Sequence, residues 1–289
     1  MPLYKKGDPR DVANYRGITL MVVAAKVLER VVLARLRIDR ETRCRGTQAG
    51  FRVGRSCPEQ IWSLRRVLEE RSEWGLPSVA VALDFASAFD TVDRAALYAV
   101  LDGEGMPPRM LSIVRALLEG SEATVRVGSG VSGSFPLDRG VRQGSVLSPV
   151  LFVALMDWVL KEALGPEWEG DGVAVGPGRS LGDLEFADDV LLLGASLEEV
   201  QRRVDAVSRV GRTIGLVLNP AKTVWVAAAS VALGDLIVDG VAVPRSDSLV
   251  YLGSTLDARG GLAGEVDRRV ALAAASFLRL RRLWRERRV

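Results

Sequence analysis

Two adjacent acids, Asp188 and Asp189, interrupt an apolar run that reads Phe186-Ala187-Asp188-Asp189-Val190-Leu191-Leu192-Leu193. Neighbouring side chains of a strand point to opposite faces, so both carboxylates reach one place only if the pair sits at the tight turn of a hairpin. Aspartate is common in turns for local hydrogen-bonding reasons. The alternative is a divalent cation, because hard ions take one or two carboxylates and complete their shell with water and substrate phosphates. A third acid bears on the choice. Ser78 to Leu83 is a short run rich in Val and Ala, with the length of a buried strand, and it ends at Asp84. A charge there is costly unless paired, exposed or bound to metal. Asp90-Thr91-Val92-Asp93 ahead of Arg94-Ala95-Ala96-Leu97 predicts a helix start with an acidic capping box, which leaves Asp90 and Asp93 out of the chemistry.

Histidine is absent, and Cys44 and Cys57 are the only cysteines. That removes Ser-His-Asp and Cys-His catalysis, His-ligated zinc and any imidazole base. Two thiols are too few for a disulfide scaffold or a four-Cys zinc site. Any chemistry must run on carboxylates, Lys, Arg and a metal. A chain of 289 residues exceeds the usual single domain, so lobes around a shared cleft are expected. No apolar stretch is long enough to span a bilayer, and the first residues lack a signal-peptide pattern, so an intracellular protein without a membrane partner is expected.

Net charge is +3, unevenly placed. Residues 1–75 carry 16 Lys/Arg against 9 Asp/Glu, residues 76–264 carry 15 against 24, and residues 265–289 carry 8 against 3. Basic flanks around an acidic centre suit a protein that grips phosphates at its edges and binds metal in the middle. Solvated arginine-rich helix faces would give the same pattern.

Apolar spacing predicts helices over Val22 to Leu36 and Pro58 to Leu68, the second opened by proline. The N-terminal region thus reads as helices and loops. A hairpin is predicted from Ala123 to Leu137; its Gly128, Gly130 and Gly133 match a dinucleotide fingerprint, but no helix follows to hold a pyrophosphate. Pro149 to Leu164 reads as a helix capped by Ser148, and Ser196 with Glu199 as a capping box that turns Val200, Val204 and Val207 to one face. Strands and helices alternate without a βαβ rhythm, which predicts an α+β fold with an antiparallel sheet.

Leu83-Asp84-Phe85-Ala86-Ser87-Ala88-Phe89-Asp90, Gly140-Val141-Arg142-Gln143-Gly144-Ser145 through Pro149, and Phe186-Ala187-Asp188-Asp189 resemble, in order, the palm motifs of reverse transcriptases. Asn14-Tyr15-Arg16-Gly17-Ile18, the stretch Gln48 to Ser56, Leu218-Asn219-Pro220-Ala221-Lys222-Thr223 and Tyr251-Leu252-Gly253 extend the match in register. The motifs are most similar to the non-LTR retrotransposon branch. The resemblance implies a right-hand polymerase fold with fingers and palm and a truncated thumb: a basic fingers-like region 1–75, a palm-containing region 76–245, and a palm–thumb junction 246–289.

The activity so implied is RNA-directed DNA polymerisation by two-metal nucleotidyl transfer. Asp84, Asp188 and Asp189 would be the catalytic metal ligands for Mg²⁺ or Mn²⁺, Asp84 and Asp188 bridging both ions and Asp189 contributing less. Phe89 would block a ribose 2′-hydroxyl, Gln143 and Gly144 would approach the nucleotide and template, and Arg52 rather than Arg55 would hold triphosphate oxygens. Lys222 would lie near the departing pyrophosphate. Arg281, Arg282 and Arg285 would face phosphates of the template–primer duplex. The implied partners are an RNA template, a DNA primer and deoxynucleoside triphosphates, in the nucleus if the parent is a eukaryotic retroelement. A catalytically idle nucleic-acid-binding remnant and a maturase-like RNA-binding cofactor remain open as alternatives.

Overall fold

Val79–Leu83 is the strand on which the rest is assembled. In the computed structural model, which describes residues 1–5, 7–165, 171–228, 230–231 and 234–281, it lies inside a four-stranded sheet. The spatial order is Asp183–Phe186, Asp189–Gly194, Val79–Leu83 and Val224–Ala227, with every neighbour antiparallel. Alternation then divides the side chains. Val79, Val81, Leu83, Val190, Leu192, Trp225 and Ala227 join one core with the helices Arg94–Gly103, Ser148–Ala163 and Leu197–Thr213. Ala80, Leu191, Leu193 and Val226 join a second core with Leu64 and Leu68 of helix Cys57–Glu73 and with the hairpin Ser248–Tyr251/Ser254–Asp257. Both faces are covered. An antiparallel sheet with one wet face would alternate polar and apolar residues; Val79–Leu83, Val190 to Leu193 and Val224–Ala227 read instead as apolar runs because both of their faces are packed, while Asp183–Phe186 alternates acid and apolar residue.

Several helix boundaries differ from the sequence expectation, each for a tertiary reason. The first long helix runs Val23–Arg43. Its apolar periodicity fades after Leu36, but Arg40 is buried and pairs with Glu104 and, at 3.3 Å, with the fully buried Asp157. The second helix, Cys57–Glu73, starts at the Ser56 cap with Pro58 in its first turn and extends past Leu68. Asp93 alone caps Arg94–Gly103, accepting from the Ala96 N–H at 2.8 Å, so the expected box starting at Asp90 does not form. Ser148 is inside its helix rather than at the cap; Ser145 Oγ instead accepts from the N–H groups of Leu147 and Ser148. Ser196 caps Leu197–Thr213 as expected, yet Glu199 turns away to the N–H groups of Ala195 and Gly172. The region near the N-terminus also holds a small unforeseen strand pair, Pro2–Tyr4 with Tyr15–Gly17. The predicted 123–137 hairpin is present as two short pairings, Glu122–Ala123 with Phe135–Pro136 and Arg126–Val127 with Gly130–Val131.

Candidate active site

Phe186 pairs with Asp189 across the hairpin, so Ala187 and Asp188 form its two-residue turn. The acids are therefore not both in the turn: Asp188 is, half-buried, while Asp189 opens the next strand and is exposed. Ala187 sits at φ +59°, a conformation that costs an L-residue about 1–2 kcal/mol. Surrounding contacts hold it there. Gln48 Oε1 accepts from the Ala187 N–H at 3.0 Å, and a Cβ on Gly50 would stand 2.3 Å from the same nitrogen. Leu83 pairs with Val190, so the next residue, Asp84, continues opposite Asp189.

The acids feel one another. Burial pushes the Asp188 carboxyl above the usual range; its own backbone N–H opposes this, Asp84 adds to it and Arg16 opposes it. Desolvation, then Asp188 and Asp84, push Asp189 up to about 6. Asp84 Oδ2 is shielded from solvent and accepts no hydrogen bond; the exposed Lys222 ammonium stands 3.4 Å from it. Among the described residues no group of three or more acidic or thiol side chains converges closely enough to hold an ion by itself. A shielded carboxylate oxygen that accepts no hydrogen bond and is paired to an exposed ammonium, beside two carboxyls of raised proton affinity, is nevertheless a place that favours added positive charge. One or two such carboxylates with water and substrate phosphates form the shell that Mg²⁺ prefers, so the residues present fit that ion.

The remaining expected residues fall in three places. Phe89 is half-buried and stacks on Phe152, with ring centroids 4.3 Å apart. Gln143 Nε2 donates to Asp90 Oδ2 at 3.0 Å, and the Gln143 carbonyl accepts from the Thr19 N–H at 2.7 Å. Burial raises the Asp90 carboxyl and the Gln143 bond opposes the rise. Gly144 has φ +108°, and a Cβ there would meet the Thr19 carbonyl oxygen at 2.6 Å, so only glycine suits this close approach. Gln143, Asp90, Thr19 and Arg139 line an open cavity of about 560 Å³. Arg52 is engaged elsewhere: its guanidinium donates to Glu41 at 3.1 and 2.6 Å and to the carbonyls of Arg45 and Gln48 at 2.8 Å. Arg55 pairs with Glu59.

Arg281 is exposed just beyond helix Ala263–Arg279, and Arg282 and Arg285 lie outside the described residues. Val270, Leu272 and Phe277 of that helix are largely exposed, and the helix is tied down through Glu265, which binds Arg268, Arg269 and the Thr255 N–H.

Sequence reasoning assigned no role to the buried polar cluster behind the acidic turn. Arg45 pairs with Asp183 at 2.9 Å and with Glu185, and its backbone N–H reaches Asp157. Gln48 Nε2 donates to Glu185 Oε2 at 3.1 Å. The one available signal was a pair of acids, Asp183 and Glu185, in a strand that turned out to be buried on both faces.

Residues 4–256 match the family model described as reverse transcriptase (RNA-dependent DNA polymerase). The chain is 28% identical over 254 residues to a retrovirus-related Pol polyprotein from type-1 retrotransposable element R2 of Popillia japonica, covering 87% of this chain and 34% of that protein. It is 26% identical over 266 residues to the RNA-directed DNA polymerase from mobile element jockey of Drosophila melanogaster, covering 88% and 28%. The chain thus spans about a third or less of these relatives' length. Among solved structures, apo telomerase from Candida tropicalis truncated from its C-terminal domain superposes with a TM-score of 0.55 at 16% identity, over 82% of this chain and 44% of that one. Telomerase from the same organism in complex with a fragment of telomeric RNA gives 0.54 at 14% identity, over 82% and 36%. At such identities the likeness shows the fold alone, a mixed α+β fold resembling that of telomerase. The family match over most of the chain, with the retroelement relatives, establishes that this chain belongs to the reverse transcriptase family and is related to the RNA-directed DNA polymerases of non-LTR retrotransposons.

Proposed function

We propose that this chain is the polymerase module of a retroelement protein, adding deoxynucleotides to a primer 3′-hydroxyl along an RNA template. The observation that carries the reading is the juxtaposition of Asp84, whose shielded Oδ2 accepts no hydrogen bond and pairs with exposed Lys222, with two carboxyls whose proton affinity is raised by burial and by neighbouring acids. Divalent cations held there would supply the chemistry of lowering the pKa of the attacking hydroxyl and steadying the triphosphate and its leaving oxygen. Asp84 and Asp188 would hold the cations, and Asp189, exposed at the strand start, would contribute less. Lys222, whose ammonium stands 3.4 Å from Asp84 Oδ2, would meet the negative charge of the departing pyrophosphate. Phe89, braced by Phe152, walls off a ribose 2′-hydroxyl. Gln143, oriented by Asp90, and Gly144 border the nucleotide and template. Arg52 would reach a triphosphate only by releasing Glu41, an exposed partner, and the carbonyls of Arg45 and Gln48.

Residues 1–75 act as the fingers-like part, 76–245 as the palm and 246–289 as the junction to a thumb. Arg281, Arg282 and Arg285 add phosphate contacts to the duplex. A nuclear site of action follows from the eukaryotic hosts of the related elements. The test is a primer-extension assay with the 289-residue chain, an RNA template, a recessed DNA primer, all four deoxynucleotides, and Mg²⁺ or Mn²⁺. Templated extension is expected. Duplex binding without extension in either metal would overturn the reading in favour of an idle nucleic-acid-binding remnant.

A further inference from the structure

Gln48 is fully buried, and its amide makes a contact 139 residues away in sequence. Its Oε1 accepts from the Gly50 N–H at 2.7 Å and from the Ala187 N–H at 3.0 Å, while its Nε2 donates to Glu185 Oε2 at 3.1 Å. This pattern fixes the sense of the amide. Flipped, it would present hydrogens to two donors and an oxygen to a carboxylate. Glu185 is itself held, by Arg45 and by the Thr47 hydroxyl at 3.1 Å. The backbone adds two more bonds, Ala49 N–H to the Glu185 carbonyl at 2.9 Å and Glu185 N–H to the Thr47 carbonyl at 3.2 Å, so residues 47–49 run beside the strand Asp183–Phe186. Gly50 closes on the turn with no room for a side chain.

We infer that Gln48 is a positioning residue for the acidic turn: by holding the Ala187 N–H it fixes the direction in which Asp188 presents its carboxylate. It touches neither substrate nor cation. Ala187 holds a positive φ at a cost to an L-residue, and a shift of that peptide would move the next residue, Asp188, relative to Asp84. Both heteroatoms of the buried Gln48 amide have partners, which ties the amide to one geometry. The inference rests on the reading of Asp188 as a metal ligand. Misplacing a reacting group by about 1 Å costs on the order of 100-fold in rate.

Gln48→Met keeps the length of the side chain and removes both hydrogen-bonding functions. With fold retained by circular dichroism, the rate constant for single-nucleotide addition should fall about tenfold or more and the half-saturating Mg²⁺ concentration should rise several-fold. Nucleotide KM and duplex affinity should stay within about twofold of the parent. Leu111→Ala, a core truncation in helix Pro108–Leu118, should lose stability without this split. A Gln48→Met rate within about twofold of the parent would overturn the inference. Amide hydrogen exchange of the unaltered chain gives a second arm that needs no activity. The Ala187 N–H should be protected to the level of Leu192 in the adjoining strand; exchange as fast as that of Ser129, in an exposed turn, would overturn the inference. An inactive parent chain would sink the polymerase reading while the exchange arm still decides the role of Gln48, as it does if Gln48→Met fails to fold.

Discussion

Asp189 shows desolvation and like-charged neighbours acting in the same direction at a single residue. Its carboxyl is pushed up to about 6, so the folded chain holds that proton more tightly than the unfolded chain does. The stabilisation from protonation is therefore fully present below about pH 4 and is lost as pH rises through about 6. Asp189→Asn, uncharged and of the same shape, should raise the unfolding midpoint of the metal-free chain at pH 7.5 and leave it unchanged near pH 3.5. Because Asp189 is exposed, the gain should stay below about 1 kcal/mol. A lower midpoint for the variant at pH 7.5 in thermal melts with chelator would contradict the assigned repulsion. Phe89 offers a test of sugar choice. Phe89→Val should admit ribonucleotides with a modest loss for deoxynucleotides, because the clash that discriminates is removed. Unchanged ribonucleotide-to-deoxynucleotide efficiency ratios would make the Phe152 stack the whole of its role.

Among elements, what could be read in advance was what short-range pattern dictates. The strand ending at Asp84, the hairpin carrying Asp188 and the valine face of Leu197–Thr213 each follow from periodicity and turn chemistry over a few residues. Contacts between distant segments left no such trace. Ser145 rather than Ser148 serves the helix start because the loop before it folds back, placing Ser145 Oγ and the Val146 N–H on Glu29 of the first long helix. Asp90 turns to Gln143, 53 residues away, instead of capping the next helix. The same limit hid Gln48, whose motif was noticed but whose partner could not be. Trp225, by contrast, holds the edge strand Val224–Ala227 through complete burial and an indole N–H bond to the Val243 carbonyl at 2.7 Å. Trp225→Ala should cost about 3–5 kcal/mol in chemical denaturation. A cost below about 1 kcal/mol would mean that the strand is held by its ladder alone.

For the whole molecule, the charge layout and the two-faced sheet divide the work. An acidic middle lies between basic ends, and electrostatic grip on a duplex should fall steeply with salt. Charge reversal of Arg281 and Arg282 should weaken binding to all sequences alike and flatten the dependence of affinity on salt, because fewer counterions are released. An unchanged slope would mean that the duplex is held elsewhere. At the centre, the proposed polymerase chemistry depends on Asp84 and Asp188 acting together. The most direct measurement is single-nucleotide addition to a primer on an RNA template at saturating Mg²⁺, for the parent chain, Asp84→Ala and Asp188→Ala, each checked for fold by circular dichroism. Both variants should retain less than about one per cent of the parent rate, since each removes a bridging ligand. A folded Asp84→Ala or Asp188→Ala chain that keeps a tenth or more of the parent rate, roughly a 1.4 kcal/mol loss at most, would contradict the assignment of that residue.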